Sequence, residues 1–316
     1  MRDMKYDIAR SVAMIWVVGI YHLSEYLFSP LHELQWARMV TWGCLGTFTF
    51  ISAYFLAGKN EFKNWTQIRV FYAKRLLRLY PLFVLSALTL LLIGFNDWEQ
   101  TWKGVLGVST FFAPQINTLW YVSMLIGFYL LTPFLQRGGV VHKLVVYSGI
   151  MAGVALFKIL IHTGVDNRFF YYFTVYTAGV LFARHTPPRT QAYLYASKAL
   201  LITGVIAYLL CLGWVLCRPN ALVMMVGGFV GTFLLLSGSN RLADCSCIGK
   251  PIRFFSYGSM AAYLFHRQIY YCGLSVYNPE NEWWKAVYLV LVILPVIFFI
   301  SYCIQLCYDR LISSGR

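Results

Sequence analysis

The sequence predicts an all-α, polytopic membrane protein of about ten transmembrane helices with both termini cytosolic. Three observations predict it. Hydrophobic residues make up 59% of the 316 and charged residues 12%, about half the charged share of a soluble domain, and mean hydropathy is +0.62. The apolar residues fall into successive runs near the roughly 20 residues that a crossing requires. The basic residues gather in alternate connections, as they do in the cytosolic loops of membrane proteins. No long polar stretch, internal repeat or low-complexity segment divides the chain, so residues 1–316 read as a single transmembrane domain.

The runs follow in order. The opening "MRDMKYDIARSVAMIWVV" is too long an apolar run for a signal peptide and lacks a small-residue cleavage site, so Ile8–Phe28 reads as a retained first span. Ala37–Ala57 is the second. Ile68–Pro81 carries Arg69, Lys74, Arg75 and Arg78 between apolar and aromatic residues, and reads as a basic amphipathic helix leading into a short third span, Tyr80–Phe95. Gly104–Ile116 is short and contains Pro114, which fits a re-entrant or interfacial piece. Leu119–Leu135, Leu144–His162, Phe169–Ala183, Tyr193–Leu216, Ala221–Gly238, Pro251–Gly273 and Trp284–Cys307 complete the set. With the N-terminus inside, most of the 26 Lys and Arg lie on the cytosolic face, and the acidic "YNPENEWW" loop falls outside. The net charge of +14 is then a mark of orientation, not of nucleic-acid binding. The eight cysteines show no metal-ligand spacing; Cys245 and Cys247 form a lone C-x-C, so neither a disulfide framework nor a metal site is expected.

Ionisable residues inside spans cost about 2.5–3.5 kcal/mol each on insertion scales and mark function by default. His22 lies twelve residues beyond Arg10, roughly 18 Å along a helix, which puts it in the outer half of the membrane. Glu25 follows one turn later on the same α-helical face. Ser256, Ser259, Tyr263, His266 and Arg267 step at three- and four-residue intervals and form a polar stripe on the ninth span. Trp120 and Tyr121 open the fourth at similar depth. These groups imply a polar cavity reached from outside. Lys158 and His162 have the simpler reading of side chains that snorkel to the outer surface. His266 with Arg267 fits packing at a helix end as well as chemistry, and Glu25 fits an interfacial position. The basic stretch Ile68–Pro81 fits binding to anionic lipid head groups or to a cytosolic polyanion such as a nucleotide or coenzyme.

Four stretches carry a resemblance. "YDIARSVAMIWVVGIYH", "KRLLRLYPLFVL", "LWYVSMLIGFYLLTPFL" and "SYGSMAAYLFHRQIY", in this order, resemble segments of the acyltransferase-3 family of integral membrane acyltransferases. The resemblance implies an acyl-coenzyme A donor, acetyl by default, no metal, and a hydroxyl acceptor on a cell-surface or lipid-linked glycan. It also implies a bacterial cytoplasmic (inner) membrane location. It places the base on His22 and an essential arginine on Arg10. The family usually has ten residues between that Arg and His; here eleven intervene. Twelve steps on a straight α-helix leave the two side chains about 120° apart, whereas eleven return nearly to the same face. A π-bulge absorbs one extra residue, and Gly19 makes room for one, so a bulge is predicted between Arg10 and His22. Thr118 stands where many members have His and is assigned no catalytic work.

From these parts comes an expected mechanism. Lys74, Arg75 and Arg78 contact the coenzyme's phosphates, for which forked arginine hydrogen bonds are suited. Neutral His22 takes the acceptor's proton, with Glu25 holding the ring. Trp120, Tyr121, Ser259, Tyr263 and His266 are candidates for binding the substrate and its oxyanion. The competing reading is a transporter or flippase for an anionic lipid-linked sugar, which also wants basic faces and a polar cavity but more often shows paired repeats and broken helices. Membrane lipids and the glycan acceptor are the expected partners, and the sequence carries no signal for oligomeric state.

Overall fold

The computed structural model describes residues 3–27, 30–59, 62, 64–161, 164–243, 245 and 249–314. Among them the regular structure is helical. In chain order it comprises α1 (Met4–Trp16), α2 (Gln35–Lys59), α3 (Trp65–Leu92), α4 (Trp98–Val105), α5 (Trp120–Gln136), α6 (Val140–Ile161) and α7 (Arg168–His185). These are followed by α8 (Pro188–Ala196), α9 (Lys198–Cys217), α10 (Ala221–Leu242), α11 (Gly249–Val276), α12 (Glu282–Tyr288) and α13 (Leu294–Ser314). Among the described residues six stretches are long and apolar enough to cross a membrane: Gln35–Gly58, Trp65–Leu92, Val140–Ile161, Lys198–Cys217, Ala221–Leu242 and Glu282–Ser313. The chain is an integral membrane protein. The remaining expected spans fall on elements that are shorter or more polar: α5 has 17 residues, α11 carries the serine and histidine stripe, and α1 gives way to other turns after 13 residues.

The chain forms two compact units, Met1–Phe48 with Pro188–Arg316, and Thr49–Pro187. In the first, α11 packs on α13. Gly258 allows the close approach, because a Cβ there would stand 3.1 Å from the backbone nitrogen of Tyr302. Ring pairs Phe254–Tyr302 and Phe255–Phe298, each with centroids 4.8 Å apart, fill the same seam. α2 meets α10 through small residues, as membrane helices do: a Cβ on Gly43 would lie 3.3 Å from the Gly228 carbonyl, and Thr232 Oγ1 donates to the Gly43 carbonyl at 3.1 Å. α1 meets α11 along a polar seam. Asp7, 3% exposed, accepts from Ser256 Oγ at 2.6 Å, and Ser11 Oγ donates to the Ile252 carbonyl at 3.1 Å. The expected span Tyr193–Leu216 divides at Ser197, which caps α9 through Leu200 N.

In the second unit Phe128 packs at tilted ring angles among Phe169, Phe173 and Tyr176 between α5 and α7. The basic amphipathic helix and the third span are one helix: α3 begins at the Asn64 cap and runs 28 residues through Pro81. The expected interfacial piece Gly104–Ile116 is the end of α4 followed by turns. α6 and α9 bury almost none of their apolar windows, the pattern of helices whose side chains meet lipid rather than protein.

Candidate active site

The first span is not a continuous α-helix. After Trp16 the chain makes a π segment, Val17–Tyr21, closed by His22 N donating to the Val17 carbonyl at 3.0 Å. A 3-10 turn, Leu23–Tyr26, follows directly. The bulge predicted from the Arg10-to-His22 spacing is therefore present, and Gly19 sits inside it. A Cβ on Gly19 would come within 3.0 Å of Leu294 Cδ2, so the residue type lets this irregular stretch lie against α13. Arg10 is part-buried on α1.

His22 stands at the junction of the π segment and the 3-10 turn, 9% exposed. Its Nδ1 is 2.7 Å from Nε2 of His266, which is fully buried, and the two rings are nearly parallel at 3°. The proton positions follow from the network. His266 Nδ1 lies 2.9 Å from the Tyr263 carbonyl and 3.1 Å from the Ala262 carbonyl. A carbonyl only accepts, so His266 Nδ1 carries the hydrogen, and in the neutral ring Nε2 holds the lone pair. His22 Nδ1 must then donate to it. In the neutral pair this leaves Nε2 of His22 as the basic nitrogen. The arrangement assigns the His22 tautomer without using a carboxylate.

Glu25, expected to hold that ring, is engaged elsewhere. Its Oε1 pairs with Arg267 Nη2 at 2.6 Å. The i+3 argument assumed α-helical phase, and the change from π to 3-10 geometry at His22 removes that assumption. Arg267, 4% exposed, also reaches the Tyr26 hydroxyl at 3.5 Å with its guanidinium 5.6 Å from the ring centroid. Tyr270 donates its hydroxyl to the Val18 carbonyl at 3.0 Å.

Of the remaining candidates, Ser259 Oγ donates to the Ser256 carbonyl at 2.9 Å, and buried Tyr263 faces His266 with ring centroids 6.1 Å apart. Arg10, His22, Glu25, Ser259, Tyr263 and His266 all belong to the first unit. Lys74, Arg75, Arg78, Trp120 and Tyr121 belong to the second. On α3, Lys74 and Arg78 are exposed, while Arg75 is part-buried with its guanidinium 5.9 Å from the Phe71 ring. The Trp120 ring lies 3.6 Å from the Arg168 guanidinium, which also pairs with Asp166 at 2.6 Å. Tyr121 shares a 3.0 Å hydrogen bond with Thr49. Thr118 adopts φ of 60° just before α5, a conformation that strains a β-branched residue. Lys158 hydrogen-bonds Asn167 Oδ1. His162 and Cys247 lie outside the described residues.

Two features escaped the sequence reading. Buried Asp7 was not singled out, because no spacing in the sequence marks it. The pairing of Glu25 with Arg267 was signalled only by opposite charges at matching estimated depth on the first and ninth spans.

A family model described as an acyltransferase domain matches residues 5–306 of the chain. No curated protein and no solved structure matches it.

Proposed function

Since the chain belongs to this acyltransferase family over nearly its whole length, we propose that it transfers an acyl group, acetyl by default, from acyl-coenzyme A to a hydroxyl of a cell-surface or lipid-linked glycan. The observation that carries the chemistry is the imidazole pair. Its hydrogen bonds leave His22 Nε2 unprotonated in the neutral state. That nitrogen takes the acceptor's proton as the hydroxyl oxygen attacks the thioester carbonyl. The tetrahedral oxyanion collapses, the carbon–sulfur bond breaks, and the imidazolium returns its proton to the departing coenzyme thiolate. The products are an ester and free coenzyme A. His266 holds the His22 ring in the required tautomer and accepts the Nδ1–H bond that strengthens when the ring becomes cationic.

The other roles are proposed on chemistry. Lys74, Arg75 and Arg78 on α3 hold the donor's phosphates. Trp120, Tyr121, Ser259 and Tyr263 contact the acceptor or the oxyanion, and Arg10 acts on the dyad's face of the first span, roughly 18 Å along it, through the phase that the bulge restores. About ten crossings with both termini cytosolic, a single catalytic domain spanning 1–316, and residence in a bacterial inner membrane belong to the same reading. The reading is tested by mass spectrometry of cell-envelope glycans from cells with and without the chain. A glycan that loses one acyl increment when the chain is absent supports it. Glycans unchanged in acylation, alongside purified protein that does not bind acyl-coenzyme A, would overturn it and favour transport of a lipid-linked sugar.

A further inference from the structure

His22 sits where a π segment meets a 3-10 turn, and neither geometry is held as firmly as an α-helix by its own backbone bonds. Its ring orientation must therefore be imposed from outside the segment. Three residues within two turns of α11 each grip a different point of it. Tyr270 donates to the Val18 carbonyl inside the π segment at 3.0 Å. His266 meets the His22 ring at 2.7 Å. Arg267 pairs with Glu25 at 2.6 Å and contacts Tyr26 in the 3-10 turn. Tyr26 in turn packs on Tyr270 with ring centroids 4.9 Å apart. The ion pair and the imidazole pair thus join the same two stretches of chain, one residue apart on α11 and three apart on the first span.

We infer that Arg267, Glu25 and Tyr270 are positioning residues that clasp Val18–Tyr26 against α11 and so fix the His22 ring for catalysis. The inference rests on the acyl-transfer reading for its kinetic consequence, but the geometry of the clasp is independent of it. Arg267 is almost fully buried, so removing Glu25 leaves a buried cation without its counter-charge, a costly arrangement that the segment relieves by moving. Tyr270→Phe keeps the ring and removes only the hydroxyl, which makes it the conservative probe. Arg267→Gln, Glu25→Gln, Arg267→Glu alone and the reversed pair Glu25→Arg with Arg267→Glu complete the set.

Two readouts separate the possibilities, both on full-length protein whose folded fraction is matched by size-exclusion chromatography. The first is the initial rate of labelled acetyl transfer from acetyl-coenzyme A into envelope material. Tyr270→Phe is expected to lower kcat by about 3- to 10-fold, as loss of one hydrogen bond allows, and Arg267→Gln and Glu25→Gln by about 100-fold. The apparent KM for acetyl-coenzyme A stays unchanged, and the reversed pair recovers at least about tenfold over Arg267→Glu alone. The second readout is nitrogen-15 NMR of labelled histidine. Wild type should show one tautomer each for His22 and His266, and the variants a mixture. Wild-type kcat in folded variants, a loss confined to donor KM, or an unchanged tautomer signature would overturn the clasp. Wild-type protein without transfer activity would defeat the acyl-transfer reading while the NMR comparison still decides the clasp.

Discussion

Replacing His266 with Phe isolates what the second imidazole contributes. The ring it removes is fully buried and accepts from His22 Nδ1 at 2.7 Å. Phenylalanine fills similar space but accepts nothing, so the His22 Nδ1–H is left in a nearly dry site without a partner. An unsatisfied buried donor costs about 1–3 kcal/mol. The ring can avoid that cost only by moving or by shifting its proton to Nε2, and either change removes the basic nitrogen from its place. If the full cost appears in the barrier, at about 1.4 kcal/mol per tenfold, kcat falls about 5- to 150-fold. His266→Gln offers an amide oxygen to the same proton and should be less impaired than the Phe variant. The assay is the initial rate of labelled acetyl transfer by equal amounts of folded protein, with acetyl-coenzyme A varied to separate kcat from KM. A Phe variant that turns over like wild type, or a Gln variant no better than Phe, would refute the tautomer argument.

Other perturbations test other links. Arg75→Ala with Arg78→Ala should raise the apparent KM for acyl-coenzyme A about tenfold or more, since charge-assisted bonds to phosphate contribute about 1.5–3 kcal/mol each; an effect on acceptor use alone contradicts a donor site on α3. Deleting Ile20, an outward-facing residue of the π segment, should convert it to α-helix while keeping Arg10 in phase with His22. That variant should retain substantial transfer, whereas inserting one alanine after Val12 in α1, which the existing bulge does not absorb, rotates everything after it by about 100° and should abolish transfer. Gly179→Ala would push a Cβ to 2.7 Å from the Phe50 carbonyl oxygen, and thermal unfolding in detergent should register a loss of about 1–3 kcal/mol. Gly149→Ala meets nothing within 4 Å and should be neutral or slightly stabilising by the same measurement.

Much of this was legible in the sequence because lipid imposes simple rules. Length and hydropathy located α2, α6, α9 and α10 to within about five residues, since a crossing helix must satisfy its own backbone and present apolar side chains, whereas the expected span Trp284–Cys307 falls across α12, a π segment and α13. The π segment was legible because the family resemblance supplied the usual Arg-to-His spacing, and one residue beyond it changes helical phase by a fixed angle. α3 was harder: its lysines and arginines lower local hydropathy, so the basic half and the apolar half read as separate elements when one Asn64-capped helix carries both. The partner of His22 was harder still. Counting i+3 along one helix offered Glu25, but ring partners are chosen by tertiary packing, and α11 brings His266 to Nδ1 and Arg267 to the carboxylate. Asp7 went unmarked for the same reason. Nothing near it in sequence reveals Ser256, 249 residues away.

The most direct measurement is acetyl transfer by His22→Ala in protein shown to be folded and inserted in the membrane. Loss of a positioned general base predicts a rate lower by about 10²- to 10⁴-fold, with acyl-coenzyme A still bound. Transfer at the wild-type rate by that variant would contradict proton abstraction by the imidazole of His22.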